Sequence, residues 1–274
     1  MEAEHHEPLP TGLLIGGEWH TGPDHFTVEN PATEEILAEV VAGTPADATA
    51  ACDAAAGAQP AWAAAPPRER GEVLRACWET LIWHTDELAE LITLESGKPL
   101  ADSRAEVVDA AEFFRWNAEE AVRIDGTLSM APGGTNRMII RHPPVGVVIM
   151  VTPWNFPLAM ITRKLGPALA AGNAVVIKPA PETPLTALRL GSLLHEAGVP
   201  AGVMNIVPTA EPAPWFDAAV AHPATRMVSF TGSTDVGRTL LRRAADRVLN
   251  CLLYTSPSPR DERRYLVCRL LLEK

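Results

Sequence analysis

The stretch GVVIMVTPWNFPLAMITRKLGPALAAGNAVVIKP, Gly146 to Pro179, decides the fold. GVVIMV is a short β-rich run without polar alternation, the pattern of a strand buried on both faces. Leu158–Ala171 reads as a helix, and Ala174–Ile177 returns to a short β-rich run. Strand, helix and strand in succession make a βαβ unit whose strands run parallel. The rhythm continues with strands at Val203–Val207 and Met227–Phe230 and helices at Leu185–Ala197, Pro214–Val220 and Ser233–Ala245. The fold class is therefore α/β around a parallel sheet. Ligands of such sheets sit at the carboxyl ends of the strands.

Upstream the pattern differs. Leu13–Trp19 and His25–Asn30, broken by Gly17 and Pro23, read as an N-terminal hairpin. Pro45–Trp62 is an Ala-rich helix that Thr44 can cap. Arg68–Leu94 has Val73, Leu74, Cys77, Leu81 and Ile82 at helical spacing, with a stop at Ser96-Gly97. Ser103–Val122 is a third amphipathic helix, and Arg123–Pro144, with Gly and Pro in its middle, reads as an extended excursion or hairpin.

Composition narrows the function. The chain has 274 residues, 47% hydrophobic and 21% charged, which are globular values. A net charge of -11 argues against nucleic acid or an anionic membrane surface as partner. No run approaches the ~20 apolar residues of a membrane span. The acidic start MEAEHHEPLP is neither a signal nor a transit peptide. Four cysteines without metal-ligand spacing predict no metal site, no disulfide framework and a cytoplasmic protein. Cys52 and Cys77, on Ala- or Leu-rich helices, read as packing residues.

The last 24 residues differ from the rest. Residues 1–250 contain no tyrosine and only three lysines (Lys98, Lys164, Lys178), whereas the tail brings Tyr254, Tyr265, Cys251 and Cys268. CLLYTSPSPRD resembles the translation of a transposase-type sequencing adapter, and YLVCRLLLEK that of a flow-cell primer. Residues 251–274 are therefore expected to be non-native.

Several residues at the strand ends carry chemistry. Asn155, in TPWNFP, lies at a strand-to-helix junction, where its side-chain NH2 can donate to a developing oxyanion. By spacing alone it serves equally as a cap or turn residue. Lys178 closes the second strand beside a Pro-rich turn; it is either a cofactor ligand or a solvated loop lysine. Gly232 and Ser233 open a helix whose free N–H groups suit a pyrophosphate. Arg163 and Lys164 follow Asn155 by two helical turns and, by pattern alone, are an ordinary basic helix surface.

Together these segments carry a resemblance. TPWNFP, KLGPALAAGN, VVIKPAPETPLTA, EAGVPAGVMNIV and SFTGSTDVGR resemble the NAD(P)-dependent aldehyde dehydrogenases in order and spacing. IGGEWH, NPATEEILAEV and ESGKPLADSRAEV are similar to that family's N-terminal region, so the resemblance covers about residues 12–248. It implies a Rossmann-like cofactor sheet and a β-hairpin that mediates a homodimer or homotetramer. It also implies oxidation of a small aldehyde through a Cys thioester, with NAD or NADP as acceptor. Its domains are a helical part at 1–122, the hairpin at 123–146 and the cofactor domain at 147–250.

By the same resemblance, Asn155 and Lys164 are catalytic, Asn155 as the oxyanion amide. Thr152, Pro153, Trp154, Asn155, Lys178, Pro179, Ala180, Pro181, Gly232 and Ser233 contact the cofactor, with Trp154 on the nicotinamide side. ITRK is similar to the succinate-semialdehyde dehydrogenases, in which the Arg, here Arg163, grips the distal carboxylate. Three departures qualify this. Pro181 stands where NAD-preferring members often have Glu, which favours NADP. VPTAEPAPWFDAAV lacks the family's usual glycines. The general-base Glu-Leu-Gly-Gly segment and the nucleophilic Cys segment are absent from residues 1–250, so the chain as given is expected to be inactive. A broad-range aldehyde dehydrogenase, or a non-catalytic cofactor-binding or oligomer-forming module, remain as alternatives.

Overall fold

A computed structural model describes residues 9–255. Its centre is a sheet of seven strands in the order β11-β10-β7-β8-β9-β1-β2. The strands β7 (Val147–Val151), β8 (Ala174–Lys178), β9 (Met204–Ile206) and β10 (Thr225–Gly232) run parallel, as the apolar runs predict. Every residue of β7 and β8 is buried. Successive β7 residues face opposite layers: Val148 and Met150 enter one core, Val147 and Ile149 the other.

The connecting helices are α5 (Ala159–Ala170), α6 (Pro184–Glu196), α7 (Pro212–Ala221) and α8 (Thr234–Ala244). On one face α5 and α6 are covered in turn by helices α2 (Pro67–Trp83), α3 (Thr85–Ser96) and α4 (Leu100–Glu120). On the other, α1 (Pro45–Ala64) packs with α7, where Ala51, Cys52 and Ala55 meet Trp215 and Phe216. Thr44 caps α1 through a reciprocal pair: its Oγ1 accepts from Asp47 N–H, and Asp47 accepts from the Thr44 N–H.

The structure corrects several sequence expectations. Residues 13–20 form a hairpin by themselves, β1 (Leu13–Ile15) with β2 (Glu18–His20), and β1 joins the main sheet antiparallel to β9. The strand β3 (His25–Glu29) pairs instead with β4 (Ile36–Val41), which the sequence reading did not find. The Arg68–Leu94 helix is two helices, because His84 leaves the helical path between α2 and α3. Apolar periodicity runs across that break, so pattern alone cannot show it. Gly97 ends α3 in the left-handed region at φ 72, as Ser96-Gly97 predicts. Leu158, expected as the first helical residue, holds the N-cap position of α5.

The excursion after α4 is a two-stranded ribbon, β5 (Thr127–Met130) with β6 (Arg137–Ile140). The edge strand β11 (Asn250–Thr255) pairs in parallel with β10. Its last five residues belong to the tail expected to be non-native; residues 256–274, like 1–8, lie outside the described residues. Cys251 and Leu253 face inward and Leu252 and Tyr254 outward, and an unpaired sheet edge accepts such alternation whatever its origin.

Two buried carboxylates join the helical layer to the sheet's helices. Glu95 of α3 accepts from Leu185 N–H (2.9 Å) and Thr186 N–H (3.0 Å), the first turn of α6. Glu106 of α4 accepts from Leu158 N–H (3.0 Å) and Ala159 N–H (3.1 Å), where α5 begins. Neither helix has a side-chain cap of its own. A carboxylate there satisfies orphan donors and meets the positive end of the dipole.

Burial lifts the Glu95 carboxyl from 4.5 to about 7, against the pull of the N–H groups it receives. The folded chain thus keeps this proton up to near neutrality, while the unfolded chain releases it near 4.5. The resulting stabilisation is full below 4.5 and is lost as pH rises through about 7. Denaturant unfolding across this range should show that decline, and Glu95→Gln should flatten it while lowering stability overall by one lost N–H acceptor. An unchanged slope in Glu95→Gln would assign the decline elsewhere.

Candidate active site

Strand order places the site. From β7 the chain runs to β8 and β9 on one side, then returns through β10 to the other side of β7. The crevice between β7 and β10 is thus the topological switch point, where ligands of such sheets bind. Register sets Phe230, Val151 and Lys178 in one row, so the turns after β10, β7 and β8 leave the same edge together.

After β7, Thr152 is buried and its N–H donates to the Lys178 carbonyl (3.2 Å). Trp154, Asn155 and Phe156 then stand exposed between Pro153 and Pro157. The Asn155 side chain makes no hydrogen bond among the described residues. It lines a cavity of about 760 Å³ with Glu106, Phe113, Phe156, Arg163 and Thr231.

Arg163 is the basic residue of that cavity. Its guanidinium lies 5.1 Å from the centroid of the Phe113 ring. Asp109 and Glu112 line the same cavity, yet Arg163 forms no ion pair among the described residues. It is held by a ring face and left open to an anion. Lys164 donates from Nζ to Thr231 Oγ1 (2.7 Å) at the tip of β10. Burial, then the Arg163 charge, lowers its ammonium to about 8. The two cations therefore serve different neighbours.

Lys178 ends β8, buried, with Pro179 and Ala180 buried after it and Pro181 half-buried. Burial lowers its ammonium to about 8, partly offset by Glu182, and Nζ has no hydrogen-bond partner among the described residues. A buried ammonium without a partner is half of an ion pair. A phosphate or ribose hydroxyl would complete it. Gly232 and Ser233 join β10 to α8; a Cβ on Gly232 would stand 2.6 Å from the Phe230 ring, so only glycine fits without displacing it. Ser233 Oγ caps α8 by accepting from Val236 N–H (3.4 Å), leaving the earlier N–H groups for a ligand. These features fit a dinucleotide.

Cys52 and Cys77 are fully buried, and desolvation pushes their thiols up to about 11 and about 12. Both are packing residues. Sequence reading missed Glu106, Glu95, Lys98, Phe113 and Thr231. One signal existed for Glu106: it falls on the apolar face of α4, with Ser103, Val107, Ala110 and Phe114.

Known proteins resemble this chain over most of its length. The model of the aldehyde dehydrogenase family matches residues 19–256. The chain is 45% identical over 241 residues to succinate-semialdehyde dehydrogenase [NADP(+)] 1 of Schizosaccharomyces pombe, covering 87% of this chain and 48% of that protein. It is 44% identical to a glutarate-semialdehyde dehydrogenase of Pseudomonas putida, over 84% of this chain and 48% of that one. The crystal structure of succinate-semialdehyde dehydrogenase from Burkholderia pseudomallei superposes with a TM-score of 0.90 at 39% identity, covering 93% of this chain and 53% of that chain. The chain thus spans about half the length of the curated relatives it matches.

If Lys178 is retained for a ligand, its unpaired charge should destabilise the fold. The folded-state value near 8 lies below the usual 10.5, so this penalty applies below about 8 and fades as pH rises toward 10.5. Lys178→Met should therefore stabilise the chain at pH 7 by about 2 kcal/mol in denaturant unfolding, with the gain gone above pH ~10. A loss of stability at pH 7 would show that the ammonium has a partner within the fold.

Proposed function

The chain belongs to the aldehyde dehydrogenase family, and we propose that the complete gene product oxidises a small semialdehyde bearing a distal carboxylate, succinate semialdehyde foremost, with NADP or NAD as acceptor. The observation that carries this is Arg163. A guanidinium without an ion pair faces the cavity that also holds the free Asn155 amide. Anion-binding and oxyanion-stabilising groups thus line one cavity, as an aldehyde with a carboxylate at its far end requires.

In this reading the Asn155 NH2 donates to the oxygen that becomes negative when the aldehyde is attacked, and Arg163 pairs with the distal carboxylate. Lys164 Nζ, its ammonium made more acidic by burial, holds a proton at the cavity edge beside Thr231. Lys178 binds the ribose or its 2'-phosphate, backbone N–H groups at Gly232 and Ser233 the pyrophosphate, and Thr152, Pro153 and Trp154 line the nicotinamide side. The turn Pro179, Ala180, Pro181 offers no carboxylate at Pro181 to repel a 2'-phosphate, which favours NADP. When bound, the dinucleotide supplies the hydride acceptor.

The nucleophilic cysteine and general-base glutamate belong to segments after Asn250, and the 274-residue chain is inactive without them. The β5–β6 ribbon, with Leu128 and Ile139 66% and 72% exposed, is the surface we assign to self-association into a homodimer or homotetramer. Among the described residues, no helix is long and apolar enough to cross a membrane.

Sequencing the gene past the codon for Asn250 should reveal the Glu-Leu-Gly-Gly and Cys segments. In that product, Arg163→Leu should lower kcat/KM for succinate semialdehyde about 100-fold and leave an alkyl aldehyde within about threefold; equal losses would remove the carboxylate assignment. Purified 274-residue protein should form no NADPH from succinate semialdehyde, and measurable turnover would refute its inactivity.

A further inference from the structure

The turn that carries Asn155 has little backbone bonding of its own. Pro153 and Pro157 bring no N–H, three consecutive residues are exposed, and the first turn of α5 has no side-chain cap. Its position is set by contacts from outside, and two come from the α3–α4 junction. Glu106, its side chain completely buried, accepts from Leu158 and Ala159 N–H through Oε1 and from Lys98 Nζ through Oε2. Lys98 Nζ also stands 3.8 Å from the centroid of the Phe156 ring, next in sequence to Asn155. A largely desolvated ammonium over a ring face is an attractive contact. One cation thus bridges the buried carboxylate and the turn.

Glu95 at α6 provides the contrast. It caps its helix alone, and among the described residues no cation bridges it to the turn after β8. At α5 the cap is extended onto the neighbour of Asn155, and Glu106 also lines the cavity. All three lysines of residues 1–250 engage the site edge: Lys98 through Phe156, Lys164 through Thr231, and Lys178 at the end of β8. Of the fifteen arginines in those residues, Arg163 alone lines the cavity.

We propose that Lys98 and Glu106 are a positioning pair that fixes where the Asn155 amide stands, and hence how well it meets the oxyanion. This rests on the oxyanion role assigned to Asn155 above. An amide that must meet a developing charge within a few tenths of an ångström gains from two tethers on its flanks. Removing Lys98 leaves Glu106 its two N–H donors, so the fold should persist while the turn loosens.

A double-mutant cycle on the complete gene product tests this. Lys98→Met should lower kcat for aldehyde oxidation about tenfold with KM for the dinucleotide within twofold, and Lys98→Arg should recover most of it. In an Asn155→Ala background, itself about 100-fold down, Lys98→Met should cost nothing more. The same fractional loss in both backgrounds, or a KM rise matching the kcat fall, would overturn the proposal. Glu106→Gln should follow Lys98→Met, and if it does not fold, the lysine variants suffice. Should the wild type oxidise no aldehyde, the functional reading fails separately, and amide exchange in the 274-residue chain tests the pair. There Lys98→Met should speed exchange at Leu158 and Ala159 about tenfold and leave Leu185 and Thr186 unchanged; unaltered rates at Leu158 and Ala159 would overturn it.

Discussion

The acceptance of backbone N–H groups by two buried carboxylates, Glu106 at α5 and Glu95 at α6, is the constraint on which the rest of the site depends. Both helices start just after a strand whose carboxyl end carries functional residues. Both lack local caps, so their starts would otherwise leave buried donors unsatisfied, a cost of about 1–3 kcal/mol each. Supplying the acceptors from α3 and α4 ties the outer helices to the sheet's edge. The helical region before the sheet is therefore part of the site's foundation.

That arrangement explains what the sequence could and could not reveal. The four parallel strands were legible because burial on both faces leaves continuous apolar runs. The placement of Asn155, Lys178 and Gly232 at strand ends was legible because such junctions are local features; Arg163, inside α5, was singled out by the resemblance alone. Glu106 and Glu95 act on groups 52 and 90 residues away; their place on the buried faces of α4 and α3 is a local signal, but nothing local names the group each one caps. The pairing of β3 with β4 and the entry of β1 into the sheet were missed for the same reason: strand partners are set by tertiary contact. At His84 the periodicity that predicts a helix also hid its break.

In the proposed reading, the site's cations give up stability for binding. Among the described residues Lys178 Nζ has no hydrogen-bond partner and Arg163 no ion pair, which in that reading leaves room for a ligand's charge. Lys164 and Lys98, by contrast, are spent on the fold, one on Thr231 and the other on Glu106 and Phe156. On the proposed function, the open cations select what binds and the satisfied ones hold the geometry. Read from spacing alone, these residues are indistinguishable; their partners separate them.

The measurement that addresses the carboxylate caps most directly is a pH titration of the amide resonances of Leu185 and Thr186 in isotope-labelled protein. Both should move together with a single apparent pKa near 7, that of the Glu95 carboxyl they share. Independent titrations, or no movement between pH 5 and 8, would mean that Glu95 does not hold the start of α6, and the link between the outer helices and the site would fail there.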